Sequence, residues 1–190
     1  GDWQRCSGFS YYDYPMVEVK GKTLGIFGYG SIGKRVAEIG AALGMRVIVC
    51  TRTRRPGCPF PYVDKETLFS QSDFLSLHCP QTPETQGLID ARALAKMKRT
   101  AILINTARGG LIDESALAAA LNENRIAGAY LDVVSEEPVR ADNPLLKAKN
   151  CRLTPHVAWQ PLETRLRLHK RVEEHLAAFL SGSPRDVVGV

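Results

Sequence analysis

The hexapeptide Gly28-Tyr29-Gly30-Ser31-Ile32-Gly33 joins two segments of different period. Before it, the run from Thr23 to Gly28 is short, apolar and of the length of a buried strand. After it, Ile32, Val36, Ile39 and Leu43 recur at helical spacing, which predicts one apolar helix face, and Gly44 stands where that helix would end. A strand that turns into a helix through three glycines at this spacing is compatible with few folds. Gly28 permits the tight turn, Gly30 lets a pyrophosphate approach the backbone, and Gly33 lets helix and strand pack closely. The helix N-terminus offers unpaired N–H groups to phosphate. In this strand–turn–helix context the motif predicts a dinucleotide site that includes Tyr29, Ser31 and Ile32.

The remainder of the chain repeats the alternation. Strands are expected at Arg46–Cys50, Phe74–Leu77, Ile102–Asn105, Ala127–Leu131 and Cys151–Leu153, with helices at Lys65–Ser70, Asp90–Lys96 and Asp113–Leu121. Such alternation argues for an α/β fold, a doubly wound parallel sheet of the Rossmann type covered on both sides. Residues 1–20 read as an irregular arm carrying the aromatic anchors Trp3, Phe9, Tyr11, Tyr12 and Tyr14. The dinucleotide-binding domain is expected over residues 21–160. Residues 161–190 read as a long helix and tail, with Leu162, Leu166, Val172, Leu176 and Phe179 on one helix face.

Composition narrows the function. With 190 residues, 44% of them hydrophobic, the chain can bury one substantial core. It contains no apolar run of the roughly 18 residues needed to span a membrane, and no basic, then apolar, secretory leader. Five cysteines without a C-x-x-C pair argue against a zinc site or disulfide framework, and for reduced thiols in a cytoplasmic setting. The net charge of +5 is mixed with 20 acidic residues, so neither a nucleic-acid surface nor a metal site is expected.

The tip of the second strand indicates which cofactor. A NAD-binding unit presents Asp or Glu about 20 residues after the last glycine, to hold the ribose 2′-hydroxyl. Here that position falls at Thr51, followed by Arg52, Thr53, Arg54 and Arg55, with no carboxylate between Arg46 and Tyr62. A carboxylate would repel a 2′-phosphate, whereas a guanidinium pairs with one. NADP is therefore the expected cofactor, with NAD possible. Arg52 is the favoured phosphate ligand, and Arg55 reads as a solvated loop residue.

Three further segments fall at predicted C-terminal strand ends, where ligands bind in open α/β sheets. Arg108 follows Ile102–Asn105, Asp132 and Glu137 follow Ala127–Leu131, and His156 follows Cys151–Leu153. Arginine can bind a carboxylate or polarise a carbonyl with two donors. Histidine can exchange a proton with a carbonyl or hydroxyl oxygen, and a neighbouring glutamate would orient it and favour its cation. With a nicotinamide, this set suits hydride transfer between a 2-oxo and a 2-hydroxy acid. His78 is expected to line the cleft through its backbone, and His169 and His175 to be solvated.

The segments GKTLGIFGYGSIGKRVA, SLHCPQTPETQGLI, INTARGGLIDESAL, LDVVSEEP and LTPHVAW occur in one order along nearly the whole chain. In this it resembles the D-isomer-specific 2-hydroxyacid dehydrogenases, most of all their glycerate dehydrogenase (hydroxypyruvate reductase) branch. The resemblance implies that Arg108 is the substrate arginine, Glu137 the acid-orienting glutamate and His156 the acid/base histidine. It implies that Asp132 contacts the nicotinamide carboxamide, and that Cys79, Pro80, Thr85, Thr106 and Ala107 line the cofactor cleft. Small 2-oxo acids such as hydroxypyruvate or glyoxylate are the implied substrates, and a homodimer the implied assembly. Members of this family carry a substrate domain ahead of the segment that starts here, so the chain reads as the nucleotide-binding part of a longer enzyme. The alternative is a non-catalytic, corepressor-like nucleotide sensor of the same fold.

Overall fold

The structure is a computed structural model and describes residues 1–11 and 16–188. Tyr12 and Tyr14 lie outside the described residues. The helices are α1 (Asp2–Arg5), α2 (Ser31–Ala42), α3 (Lys65–Gln71), α4 (Ala91–Lys96), α5 (Glu114–Asn122) and α6 (Leu162–Leu180). The strands are β1 (Thr23–Phe27), β2 (Arg46–Cys50), β3 (Phe74–Leu77), β4 (Ile102–Asn105), β5 (Gly128–Leu131) and β6 (Cys151–Leu153). Two short 3-10 turns, Gly109–Leu111 and Pro144–Lys147, were not legible as apolar periods.

All six strands are parallel, in the order β2-β1-β3-β4-β5-β6. The chain leaves β1 for β2 on one side and returns to β3 on the other, so the strand order reverses between β1 and β3. A crevice opens at such a switch point, beyond the C-terminal strand ends. The alternating side chains of β1 and β2 feed two cores. Leu24, Ile26, Val47 and Val49 pack with Ala37 of α2. Phe27, Ile48 and Cys50 join the larger core under α3, α4 and α5, with Leu75, Leu77, Leu103 and Leu117. Truncating a fully buried leucine such as Leu103 to Ala costs about 2–5 kcal/mol in such a core.

Helix α2 departs from the expected face. Its buried residues are Gly33, Ala37 and Gly40, while Ile32, Ile39 and Leu43 are 69%, 48% and 57% exposed. The reason is distance. A Cβ on Gly40 would come within 2.4 Å of Leu24 Cδ2, and one on Gly33 within 2.1 Å of the Gly28 carbonyl oxygen. The helix lies too close to β1 for large side chains, so the small ones form its inner face. Gly44, with φ +76°, follows the helix end as expected.

The two ends of the chain pack less. Trp3 and Phe9 are exposed, and Trp3 Nε1 donates a hydrogen bond of 3.1 Å to the Phe9 carbonyl. Helix α6 has no buried residue, and its apolar side chains are exposed. His175, expected to be solvated, hydrogen-bonds Asp186 at 2.9 Å beside an Arg171–Asp186 ion pair of 2.6 Å. Among the described residues no helix is long and apolar enough to cross a membrane.

Candidate active site

The glycine turn shows which of its residues serve packing and which leave room for a ligand. Gly28 has φ +95° and its missing Cβ would sit 2.6 Å from the His78 carbonyl oxygen. Gly33 is equally enclosed by Gly28, so both are explained by the fold. A Cβ on Gly30 would meet nothing within 4 Å. Its open side faces the crevice, where a pyrophosphate requires close approach to the backbone.

Helix capping points the same way. Asp64, Asp90 and Asp113 cap α3, α4 and α5, each accepting a backbone N–H from the first turn. Helix α2 begins at Gly30 with no side-chain cap and no acid in its first turn. Its first N–H groups, starting at Ser31, are left for an anion, as at phosphate-binding helix ends. The residues present therefore fit a dinucleotide.

A cleft of about 520 Å³ follows this turn. Gly28, Tyr29, Gly30, Thr51, Arg52 and Thr53 line one wall, and Cys79, Pro80 and Thr85 the other. A second hollow of about 360 Å³ shares His78, Cys79 and Pro80 with the first and adds Ile32, Thr106, Ala107 and Arg108. The exposure of Ile32 is thus that of a cleft residue. Thr85 also holds its own loop, donating to the Pro80 carbonyl at 2.8 Å and accepting from Thr82 N at 2.8 Å.

Residues that the sequence did not single out complete the cleft. Lys65 lines it, with Nζ 5.9 Å from the Phe27 ring centroid, and Glu84 lies on the opposite wall. Arg55, expected to be solvated only, also lines the cleft, while Arg54 stacks its guanidinium 5.5 Å from the Tyr62 ring centroid. Arg55 thus departs from its expected solvated role, while Arg54 stays outside the cleft lining. Apolar periodicity holds no signal for such an arrangement. His78 lines both hollows, and burial holds its pKa below the usual histidine range, with Nε2 2.8 Å from Ser76 Oγ. Burial pushes the Cys79 thiol up. The floor of the cleft is accordingly neutral, and the positive charge stands at its rim.

The three residues expected to carry chemistry come together at the ends of β4, β5 and β6. Asn105 at the end of β4 accepts the Ala107 N–H and donates to the Arg108 carbonyl, each at 2.9 Å, which sets the turn that presents Arg108. His156 Nδ1 lies 2.7 Å from Glu137 Oε2, and Glu137 Oε1 accepts the Val134 N–H at 3.2 Å. Glu137 is held below the usual carboxylate range, first by the His156 hydrogen bond, and the charges of His156 and Arg108 add to the effect. Arg108 is therefore within electrostatic reach of the pair.

Asp132 sits beneath this pair and is 5% exposed. Its carboxylate accepts from Thr154 Oγ1, from Val157 N at 3.0 Å and from Ala158 N at 2.9 Å, while its carbonyl accepts His156 N at 2.9 Å. Burial alone would raise its pKa, but these hydrogen bonds outweigh it and the net direction is down. The residue fixes the loop that carries His156, whose φ is +52°. This tethering role was invisible in the sequence because the partners lie 22 to 26 positions away.

A parallel sheet with a glycine cradle at its switch point, beside a paired histidine and glutamate, defines a dinucleotide-binding α/β domain. The family description "D-isomer specific 2-hydroxyacid dehydrogenase, NAD binding domain" matches residues 1–158, and the chain belongs to that family. It is 46% identical to the hydroxypyruvate reductase of Blautia hydrogenotrophica and 46% identical to the glycerate dehydrogenase of Methylorubrum extorquens. In both cases 99% of this chain is matched, and it spans 59% of the relative. Among solved structures, an acyclic imino acid reductase in complex with NADPH and D-Arg superposes with a TM-score of 0.88 and 36% identity, over 99% of this chain and 61% of that one. D-Lactate dehydrogenase with NAD⁺ from Lactobacillus jensenii gives a TM-score of 0.88 at 29% identity, over 100% of this chain and 63% of that one.

Proposed function

We propose that this chain is the nucleotide-binding part of an NADPH-preferring reductase of small 2-oxo acids, with hydroxypyruvate or glyoxylate as substrate. The observation that carries the reading is the Glu137–His156 pair beside Arg108, next to a cleft whose β2 tip bears arginines instead of a carboxylate. When bound, a nicotinamide would supply the hydride. Arg108 binds the substrate carboxylate or polarises its carbonyl. Glu137 occupies Nδ1 of His156, so Nε2 is the nitrogen that gives its proton to the carbonyl oxygen in reduction and takes it back in oxidation. Asp132 keeps that ring in place. Its Oδ2 accepts one protein hydrogen bond and has a second acceptor site for a carboxamide N–H. Ser31, at the uncapped start of α2, and Arg52, at the rim, bind phosphates.

The relatives' greater length supports a second cleft wall outside these residues, and the outward apolar faces of α2 and α6 support a homodimer in the complete protein. The test is NADPH binding and hydroxypyruvate reduction on the same preparation of this chain, alongside the complete protein. The expected result is binding with little turnover by the chain, because hydride transfer needs the substrate held in near-attack geometry and water excluded. Turnover by the chain at about 1–10³ s⁻¹ would show that it builds its own substrate pocket. No reduction of any 2-oxo acid by the complete protein would favour a nucleotide sensor.

A further inference from the structure

The loop from Arg52 to Pro61 carries the arginines of the cofactor rim, and it closes over a small cluster built on Tyr29 of the cleft wall. Tyr29, the residue between the first two glycines of the turn, is 4% exposed. Its ring meets Phe60 and Tyr62 edge-on, at centroid distances of 6.5 and 6.3 Å. Tyr62 Oη accepts the Arg55 N–H at 2.9 Å and donates to the Arg55 carbonyl at 3.1 Å, and its ring supports Arg54. The cluster therefore ties the pyrophosphate turn to the arginine loop.

Cys58 is part of this cluster. Its Sγ lies 3.5 Å from the Phe60 carbonyl oxygen, and its nearest phenols are those of Tyr29 and Tyr62. The Tyr29 hydroxyl is buried with no hydrogen-bond partner, and Cys58 packs against the apolar cluster that contains Tyr29. A lone buried O–H donor beside a thiol is a site made for the thiolate, which accepts the proton the phenol cannot otherwise place. Three of the other thiols differ. Burial pushes Cys50, Cys79 and Cys151 up, Cys151 to about 11, while Cys6 on the N-terminal arm donates to the Ser10 carbonyl at 3.3 Å. Burial opposes the thiolate at Cys58, and the Phe60 carbonyl can only accept the thiol proton, but hydrogen bonding to the thiolate from the Tyr29 and Tyr62 phenols and the Phe60 backbone, with the charge of Lys34, brings its pKa down. Cys58 is only partly buried, so a small reagent can reach it.

We infer that Cys58 is a site of reversible mixed-disulfide formation that controls cofactor binding through the arginine loop. The thiolate attacks one sulfur of a low-molecular-weight disulfide. A new S–S bond forms on Cys58, the old S–S bond breaks, and the other half leaves as a thiolate. The adduct adds a chain of atoms where Phe60, Tyr62 and Tyr29 now converge. Tyr62 must then release Arg55, and Arg52 and Arg55 lose their places at the rim. NADPH binding suffers most, because only that cofactor uses the arginines. This consequence rests on the assignment of the arginines to the 2′-phosphate. By reciprocity, bound NADPH slows adduct formation.

The experiment treats the protein with oxidised glutathione, follows each cysteine by mass spectrometry, and titrates NADPH and NADH before and after. Cys58 is expected to be modified first. NADPH affinity should then fall about tenfold, NADH affinity should change less, and dithiothreitol should restore both. Cys58→Ser should bind NADPH like the unmodified protein and lose the response. Earlier modification of another cysteine, or full NADPH affinity in protein carrying the Cys58 adduct, overturns the inference. An untreated protein that binds NADH as tightly as NADPH undoes the 2′-phosphate assignment alone, and the order of cysteine modification then still decides for or against the reactive thiol.

Discussion

Replacing Arg52 with Ala tests the cofactor reading at its most exposed point. A hydrogen bond to a charged partner contributes about 1.5–3 kcal/mol. Two features of the structure reduce that figure. Arg52 is exposed at the cleft rim, where water and salt screen it, and Arg55 lines the same cleft and can share the phosphate. The expected loss is therefore about 1–1.5 kcal/mol, roughly five- to tenfold in NADPH affinity, with NADH affinity nearly unchanged. The double substitution Arg52→Ala with Arg55→Ala should remove more than either alone. Fluorescence titrations at two ionic strengths provide the assay, and the preference for NADPH should shrink as salt rises. Equal affinities for the two cofactors in the unmodified chain, or an unchanged NADPH/NADH ratio in Arg52→Ala, would refute the assignment.

Gly30→Ala should leave the unfolding free energy within about 0.5 kcal/mol of the parent while weakening NADPH about tenfold, whereas Gly33→Ala should cost about 1–3 kcal/mol of stability against the Gly28 carbonyl. Chemical denaturation and cofactor titration on both variants check this, and equal effects would contradict the assigned roles. Asp132→Asn should destabilise by about 1.5–3 kcal/mol, since a buried carboxylate with three protein donors is lost. Because the folded pKa of Asp132 is depressed, its contribution is present above the unfolded carboxylate pKa and disappears as pH falls through the folded value, so the parent–variant gap in denaturation should close in acid. In the complete protein, His156→Ala should lower kcat about 10²–10⁴-fold. Near-parental turnover would assign the proton to another group. Glu84→Gln should strengthen NADPH binding by removing a carboxylate from the wall opposite the arginines, and titration showing weaker binding would contradict that placement.

Much of this protein was determined locally, and those parts were legible. The strands of the sheet are short apolar runs, and Asp64, Asp90 and Asp113 mark helix starts because a cap acts within three residues of itself. The glycine turn, the arginines after β2, and the presence of Arg108, Glu137 and His156 at strand ends follow from the same short-range pattern. What required tertiary structure is everything set by the distance between elements. Apolar period placed Ile32, Ile39 and Leu43 inside, but α2 lies so close to β1 that Gly33, Ala37 and Gly40 take that face. That Arg55 lines the cleft while Arg54 lies over a tyrosine ring depends on where Tyr62 stands after the loop closes. Asp132 serves as the tether of the His156 loop only because β5 and β6 are neighbours in the sheet. Lys65 and Cys58 carry no motif, Glu84 lies in the SLHCPQTPETQGLI segment without a role assigned to it, and their surroundings exist only once β1, β3 and the arginine loop meet around the glycine turn. A sequence encodes which groups are available within a few residues, whereas charge, burial and reach between distant segments arise from how closely the backbone lets those segments approach.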